Sequence, residues 1–519
     1  MATAEKEAEV DGERCYFVGG GGRPHPARAR HMSAASTAPV PASQVGHWAA
    51  ETDVLIAGNG CAGASASIEA AAAGARVLVV DAAGGWGGAS AMSGGEIYLG
   101  GGTPVQKACG VEDTPDAMYA FLKLATGPDP AEDKLAVYCE GSLEHFDWLV
   151  RCGVTFVPKL WTEPSWEAPT GYGLMYTGGE NAHPFADLVP PAPRGHIVHM
   201  EDKRPGERSA GWMLMKHLVA TAERAGVEVR YNTRTERLVV DGERVVGAEV
   251  VSFGERHFVR ARRGVVLAAG GFAANPAMLA QHAPRLAGNF LVGTDGDDGR
   301  GIRMGQAVGA AVRHMDAGQT SFPTDPALLY RSLLLDARGH RFVNEDTYPG
   351  RVGQTALFKQ DRKTFLLYDE TASEEAARLS GYAVQPTWVS DDLGELAKEM
   401  GVAPGVLAGT VATYNAGAER GEDPECHKAA RWLRPLAPPY GVLDLRDAPC
   451  GVFTTGGLHT SPRGEVLGLE GDPIPGLFAA GRTTSGIPSW GYCSGTSLGD
   501  GTFFGRRAGR RAGRSAATA

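Results

Sequence analysis

The sequence predicts an α/β fold: a Rossmann-like nucleotide-binding domain, discontinuous along the chain, with an α+β catalytic domain inserted into it. Three observations carry this. The apolar run Asp53-Val54-Leu55-Ile56-Ala57 leads directly into Gly58-Asn59-Gly60-Cys61-Ala62-Gly63 and an alanine-rich segment, the order of strand, tight turn and helix that opens a dinucleotide-binding unit. A second apolar run, Arg76 to Val80, ends at Asp81. The grammar of strand followed by glycine then returns at 264–271, is missing from about 291 to 447, and comes back at 456–458 and 474–481.

Taken in order, residues 1–50 are rich in Ala, Pro, Gly and Ser and lack the apolar core of a signal peptide, so they read as a disordered leader, with Met32 as an alternative start. The first part of the nucleotide domain spans 51–290. Within it the composition predicts order from Thr52, a helix over Ser65–Ala73, a glycine- and serine-rich loop over 84–102 and mostly helix over 115–152. Residues 155–210, rich in Pro, Trp and Tyr, read as a covering loop region. A helix over 211–225 and a strand over 227–231 follow. Asp241-Gly242 between two apolar runs, 237–240 and 245–250, signals a hairpin. The strand 264–269 returns to the first sheet. The mixed short elements of 291–447 form the inserted domain, and 448–519 closes the nucleotide domain.

The bulk composition narrows the function. A chain of 519 residues, 43% hydrophobic, buries a large core. A net charge of -10 excludes a nucleic-acid partner, which needs a basic face. No apolar run reaches the roughly 20 residues of a membrane span. The eight cysteines show no CxxC spacing and read as reduced thiols of a cytoplasmic protein.

The chemistry begins at Gly58-x-Gly60-x-x-Gly63. Its glycines permit a tight turn and close approach of a pyrophosphate to a helix N-terminus, while Asp81 at the end of the next strand holds ribose hydroxyls. The loop Gly87-Gly88-Ala89-Ser90-Ala91-Met92-Ser93-Gly94-Gly95 favours a flavin dinucleotide over nicotinamide. A wide isoalloxazine with its ribityl chain needs a second run of amides and small hydroxyls.

On these motifs, the Ala-Ala-Gly-Gly-Phe return at 268–272 and the closing Pro-Gly-Leu-Phe-Ala-Ala-Gly at 475–481, the chain resembles the fumarate reductase and 3-ketosteroid dehydrogenase superfamily of FAD-dependent oxidoreductases. The resemblance covers roughly 50–510. It implies FAD contacts from Gly58, Asn59, Gly60, Cys61, Ala62, Gly63, Asp81, Gly88, Ala89, Ser90, Ser93, Gly94, Gly95, Ala269, Gly270, Gly481 and Arg482. It also implies that Ser497 and Leu498, opening the terminal helix, present amides to the flavin. Where this chain has Asp81 and Arg482, the family usually has Glu, and often Glu or Asn, respectively. No histidine lies between His47 and His145, so the FAD is non-covalent.

The resemblance also divides the branches. A fumarate reductase needs an arginine acid and clamping cations; Arg351 is a candidate acid, but no histidine follows His459 and the neighbourhood offers Tyr348 instead. The triplet Tyr492-Cys493-Ser494 resembles the 3-oxo-5α-steroid 4-dehydrogenases. That implies Tyr348, Tyr492 and Ser494 as working residues, with Tyr330 a rival to Tyr348, and amides around Gly495 binding the substrate carbonyl. The implied reaction takes a hydride from one carbon to flavin N5 and a proton from its neighbour to the Tyr492 and Ser494 pair. An apolar cyclic ketone, a 3-ketosteroid at C4–C5, becomes α,β-unsaturated. A quinone-like acceptor or oxygen then takes the electrons. The alternatives are a Δ1-type dehydrogenase or ene-reductase, a fumarate reductase flavoprotein subunit, and an inactive flavin-binding scaffold.

Other patterns carry less. His196 and His199 lack a third ligand at metal spacing and read as surface or lid residues. Cys61 is a small filler, and Cys493 faces the ligand without reacting. The basic run Arg506, Arg507, Arg510 and Arg511 complements the dipole of the terminal helix.

Overall fold

The main sheet grows from the apolar runs. The computed structural model describes residues 36–201, 210–403 and 405–518. Val54–Ala57 lies parallel to Val77–Val80 on one side and to Gly264–Leu267 on the other; Leu477–Ala479 and Glu228–Arg230 extend the parallel set at its two ends. Helices cover this part of the sheet, which is why its central strands read as continuous Val, Leu and Ile rather than as an alternation.

The strand ending at Leu267 is longer than predicted. It starts at Glu255, because its first half pairs antiparallel with the hairpin strand Arg244–Ser252, register Gly247 opposite Arg260. One strand thus joins the parallel sheet to an antiparallel meander. The hairpin turn falls on Gly242 and Glu243, with Asp241 already paired to Arg244.

The leader needs correction from residue 36 onward. Val40–Pro41 pairs parallel with Val239–Val240, Val40 is buried, and Trp48 meets Phe258 edge-on at 6.4 Å. The apolar side chains among its prolines and alanines are what the disorder reading overlooked. Residues 1–35, with Met32, lie outside the described residues.

The terminal helix, Thr496–Gly513, lies against the opening helix, Cys61–Ala72, through a stripe of small residues. A methyl group at Gly505 would sit 2.4 Å from the Ala62 carbonyl oxygen, and one at Gly509 2.0 Å from that of Ala66. Glycine at every fourth position lets the two backbones touch. The basic run of this helix does more than answer its dipole. Arg506 pairs with Glu144 at 2.7 Å, Arg510 with Glu69 at 2.6 Å and Arg511 with Glu465 at 2.7 Å, tying three other segments to it.

Residues 155–210 contribute strands rather than loop alone. Leu160–Trp161, Leu174–Met175 and Gly195–Ile197 join Glu96–Tyr98 in a small four-stranded sheet. Between 291 and 447 a second four-stranded sheet, Leu333–Asp336, Thr364–Asp369, Tyr440–Asp444 and Trp388–Ser390, is antiparallel throughout. Beside it is a buried ion cluster: Arg341 bonds Glu345 at 2.7 Å and Asp423 at 2.8 Å, and Lys428 bonds Glu345 at 3.1 Å. Buried charges persist only when paired in this way. Among the described residues no helix is long and apolar enough to cross a membrane.

Candidate active site

The predicted cofactor residues meet where four loops converge on the opening helix. Gly58 takes a φ of 105° and a methyl there would lie 2.3 Å from the Ala268 carbonyl oxygen; at Gly63 it would lie 1.9 Å from that of Gly58. Those two glycines therefore let strand, turn and helix close on one another. The Asn59 amide donates to the Asp81 carboxylate at 2.6 Å and the Ala83 amide does so at 2.8 Å. Burial raises the Asp81 pKa, and these two amides oppose the rise.

The second loop docks onto the first. The Cys61 amide donates to Ser90 Oγ at 3.1 Å, the Gly87 amide to the Asn59 carbonyl at 3.0 Å, and Ser93 Oγ to the Ser90 carbonyl at 2.8 Å. Gly88 and Ala89 lie in the short helix Gly88–Ala91, and Gly94 and Gly95 lead into the strand at Glu96. Gly481 meets Ala62, and Arg482 holds Asp297 with contacts of 2.9 and 2.8 Å. The Asp297 carboxylate in turn accepts from the Gly271 amide and crowds Gly270, next to Ala269. At the start of the terminal helix, Gly501 comes close to Cys61 Sγ, so Ser497 and Leu498 belong to the same region.

This ring fits a polar dinucleotide. Arg482 Nη1 is buried without a hydrogen-bond partner, and a buried polar atom in that state points to a missing ligand. Ser497 also serves the substrate side. Burial raises the Tyr492 pKa, and the hydroxyl and amide of Ser497 pull it back down, against the Glu96 charge.

On that side the inserted region meets the small sheet. A cavity there is lined by Tyr348, Ser494, Glu96, Trp161, Trp166 and Tyr330, among others. Tyr348 precedes the helix Pro349–Lys359 and its hydroxyl accepts from Gln319 Nε2 at 3.1 Å. Its ring centroid is 6.5 Å from that of Tyr492, which meets Phe453 edge-on at 5.3 Å. Ser494 Oγ donates to Glu96 Oε2. The Tyr348 pKa is raised well above the ordinary phenol value, first by burial and then by the neighbouring Tyr492 and Glu96; Ser494 opposes this weakly. Gly495, with a φ of 90°, packs on the backbone of Glu96–Tyr98, and its carbonyl accepts from the Tyr98 amide.

Thus Tyr348, Tyr492, Ser494 and Gly495 come together, although 144 to 147 positions separate the first from the others. Tyr330 also lines the cavity, but it packs edge-on against Trp432 at 5.5 Å. Two participants escaped the sequence reading, Glu96 and Gln319. The signal for Glu96 was its place directly after Ser93-Gly94-Gly95, a carboxylate at the edge of a flavin loop; nothing local marked Gln319.

Some expectations change. Arg351 is engaged elsewhere, donating to the carbonyls of Gly178 at 3.1 Å and Ala125 at 2.8 Å and stacking on Phe185. His196 is not a surface residue. It is buried between Thr103 Oγ1 at 2.8 Å and the Arg194 carbonyl at 3.0 Å, and burial lowers its pKa to about 4. Cys493 is buried 3.6 Å from Arg351, its thiol pushed up to about 12 by burial. No group of three His, Cys, Asp or Glu side chains among the described residues is arranged to hold a metal.

Residues 53–498 match the model of the FAD binding domain. The chain is 28% identical to a 3-oxo-5-alpha-steroid 4-dehydrogenase of Comamonas testosteroni, over 84% of this chain and 93% of that protein. It is 29% identical to a probable fumarate reductase of Shewanella frigidimarina, over 88% and 74%. Among solved structures, a 3-ketosteroid-delta4-(5alpha)-dehydrogenase from Rhodococcus jostii, in complex with 4-androstene-3,17-dione, is 51% identical. It superposes with a TM-score of 0.90 over 92% of this chain and 100% of that one.

Proposed function

The chain belongs to the FAD binding domain family, and we propose that within it the protein is a dehydrogenase that converts a 3-ketosteroid, or a similar apolar cyclic ketone, to the α,β-unsaturated ketone at C4–C5. The observation that carries this reading is the cavity wall. It sets Tyr348 and Ser494 in one lining with Trp161, Trp166 and Tyr330, aromatic side chains that suit a rigid ring system. The ligand of the 51% identical structure supports the same choice.

FAD, held by the loops around Gly58–Gly63, Gly88–Gly95 and Arg482 and by Ser497, supplies the hydride acceptor when bound. The protein's own part is acid–base work and orientation. Raised pKa values keep the phenols of Tyr348 and Tyr492 protonated at neutral pH, so both act as hydrogen-bond donors. In this reading Tyr492 and the Gly495 amide polarise the ketone oxygen, which acidifies the adjacent C–H, and Ser494 Oγ takes its proton. Tyr348, held by Gln319, borders the same step.

The electrons leave to a quinone-like acceptor or to oxygen. We place the protein in the cytoplasm on its free cysteines, seven of which lie among the described residues. The fumarate reductase alternative loses its acid, because Arg351 is committed to backbone carbonyls.

Anaerobic titration tests the reading. The yellow protein bleaches on addition of a 5α-3-ketosteroid. Absence of bleaching, together with reoxidation of the reduced protein by fumarate, would overturn it.

A further inference from the structure

We infer that Glu96 receives, through the hydroxyl of Ser494, the proton that the substrate carbon loses. The inference rests on the dehydrogenase reading above and identifies where its proton goes.

The need for such a group follows from the wall itself. A serine hydroxyl is a poor resting place for a proton, and it can accept one only if it passes its own to a base. Burial holds both nearby phenols, Tyr348 against Ser494 and Tyr492 against Ser497, in the protonated form, so they can relay a proton but not keep one, and a carboxylate is the group that can. Ser494 Oγ donates to Glu96 Oε2, and both residues line the cavity with Tyr348. Glu96 is buried, on the strand that follows the flavin loop. Its charge reaches both phenols, as their raised pKa values record.

The step balances. The C–H bond beside the ketone breaks and its electron pair enters the new carbon–carbon double bond. The proton joins Ser494 Oγ as that oxygen's own proton passes to Glu96 Oε2, so the serine ends unchanged and the glutamate ends neutral. The second hydrogen leaves the neighbouring carbon with its electron pair, as in the reaction already proposed. Glu96 acts through Ser494 and is in that sense a positioning residue.

Glu96→Gln separates proton acceptance from hydrogen-bond geometry, because the amide oxygen still accepts from Ser494. The variant holds its flavin and keeps its KM for a 5α-3-ketosteroid, while the anaerobic bleaching rate and kcat fall about 10²- to 10⁴-fold, the usual weight of general base catalysis. Glu96→Asp restores most of that rate. A Gln variant that bleaches as fast as the native protein, or an Asp variant as slow as the Gln one, overturns the inference. A measurement on the native protein stands independently of either variant folding. With ¹³C-labelled glutamate, the infrared difference spectrum on steroid addition gains a protonated-carboxyl band that shifts with the label, and its absence is equally decisive against Glu96. If the native protein does not bleach with steroid at all, the dehydrogenase reading itself has failed.

Discussion

The loop Gly491–Asp500 divides at Gly495 into two regions built by opposite means. The flavin side, from Thr496 onward, is written in absent side chains: glycines at 501, 505 and 509 bring the terminal helix onto Ala62 and Ala66, at distances no Cβ allows. The substrate side is written in side chains drawn from distant parts of the chain. Ser494 meets Glu96, 398 positions away, and Gln319 meets Tyr348. The first kind of site is set by local spacing and backbone shape. The second exists only once the small sheet and the inserted region have met.

Breaking the substrate side alone has the largest effect. Ser494→Ala removes the hydroxyl that bridges substrate and Glu96, and Tyr492→Phe removes a donor to the ketone. Each lowers the rate of anaerobic bleaching by about 10²- to 10⁴-fold while the flavin spectrum of the resting protein stays in place. If both variants bleached at the native rate, the wall would be a packing surface and nothing more. Tyr348→Phe is the finer probe, because it leaves Gln319 Nε2 without the acceptor it has at 3.1 Å, a loss of about 1–3 kcal/mol for a buried donor.

Breaking the flavin side has the converse signature. Gly509→Val places carbon atoms against the Ala66 carbonyl, where even a methyl group would sit at 2.0 Å, and overpacking of this kind costs about 1–3 kcal/mol, occasionally more. The thermal midpoint falls, and the bleaching rate of the molecules that remain folded does not change. A drop in rate at an unchanged midpoint would mean that the two regions are coupled more tightly than this division allows.

The same contrast explains what the sequence made legible. Gly58-x-Gly60-x-x-Gly63 could be read because its spacing and the apolar run before it are local signals, although Gly58 closes on the distant Ala268, and the structure places all three at one turn and helix N-terminus. Tyr492 and Ser494 could be named only through resemblance, since a phenol and a hydroxyl in a loop have many uses. Glu96 was passed over because its meaning depends on Ser494, which no spacing rule connects to it. The leader misled for a related reason: Val40 is ordered by Val239, a partner some two hundred positions away. His196 shows the reverse error, a residue read as exposed by its polarity and buried by two hydrogen bonds.

The smallest effect sharpens the comparison at a charged residue within the glycine-written half. Asp500, in the first turns of the terminal helix, is buried and accepts from the Ile487 amide at 2.8 Å. Burial raises its pKa from 3.8 to about 6, with Lys134 pulling it down. Lys134 is buried as well, donates to Thr460 Oγ1 and the Ser485 carbonyl at 2.7 Å each, and is lowered by burial to about 8. For Asp500 the folded value lies above the unfolded one, so the native state binds more protons between pH 3.8 and 6. Its contribution to stability is therefore whole below pH 3.8 and is lost as pH rises through 6. Lys134 has the opposite order, and stability rises with pH between about 8 and 10.5 as the unfolded chain holds the proton longer. Asp500→Asn keeps an acceptor for the Ile487 amide and removes the titration. The difference in denaturation midpoint between native protein and variant then declines from pH 4 to 6 and is level below pH 4; subtracting the two curves cancels the other carboxylates of the chain. A flat difference across that window would mean that the Asp500 carboxyl ionises in the fold as readily as it does in water.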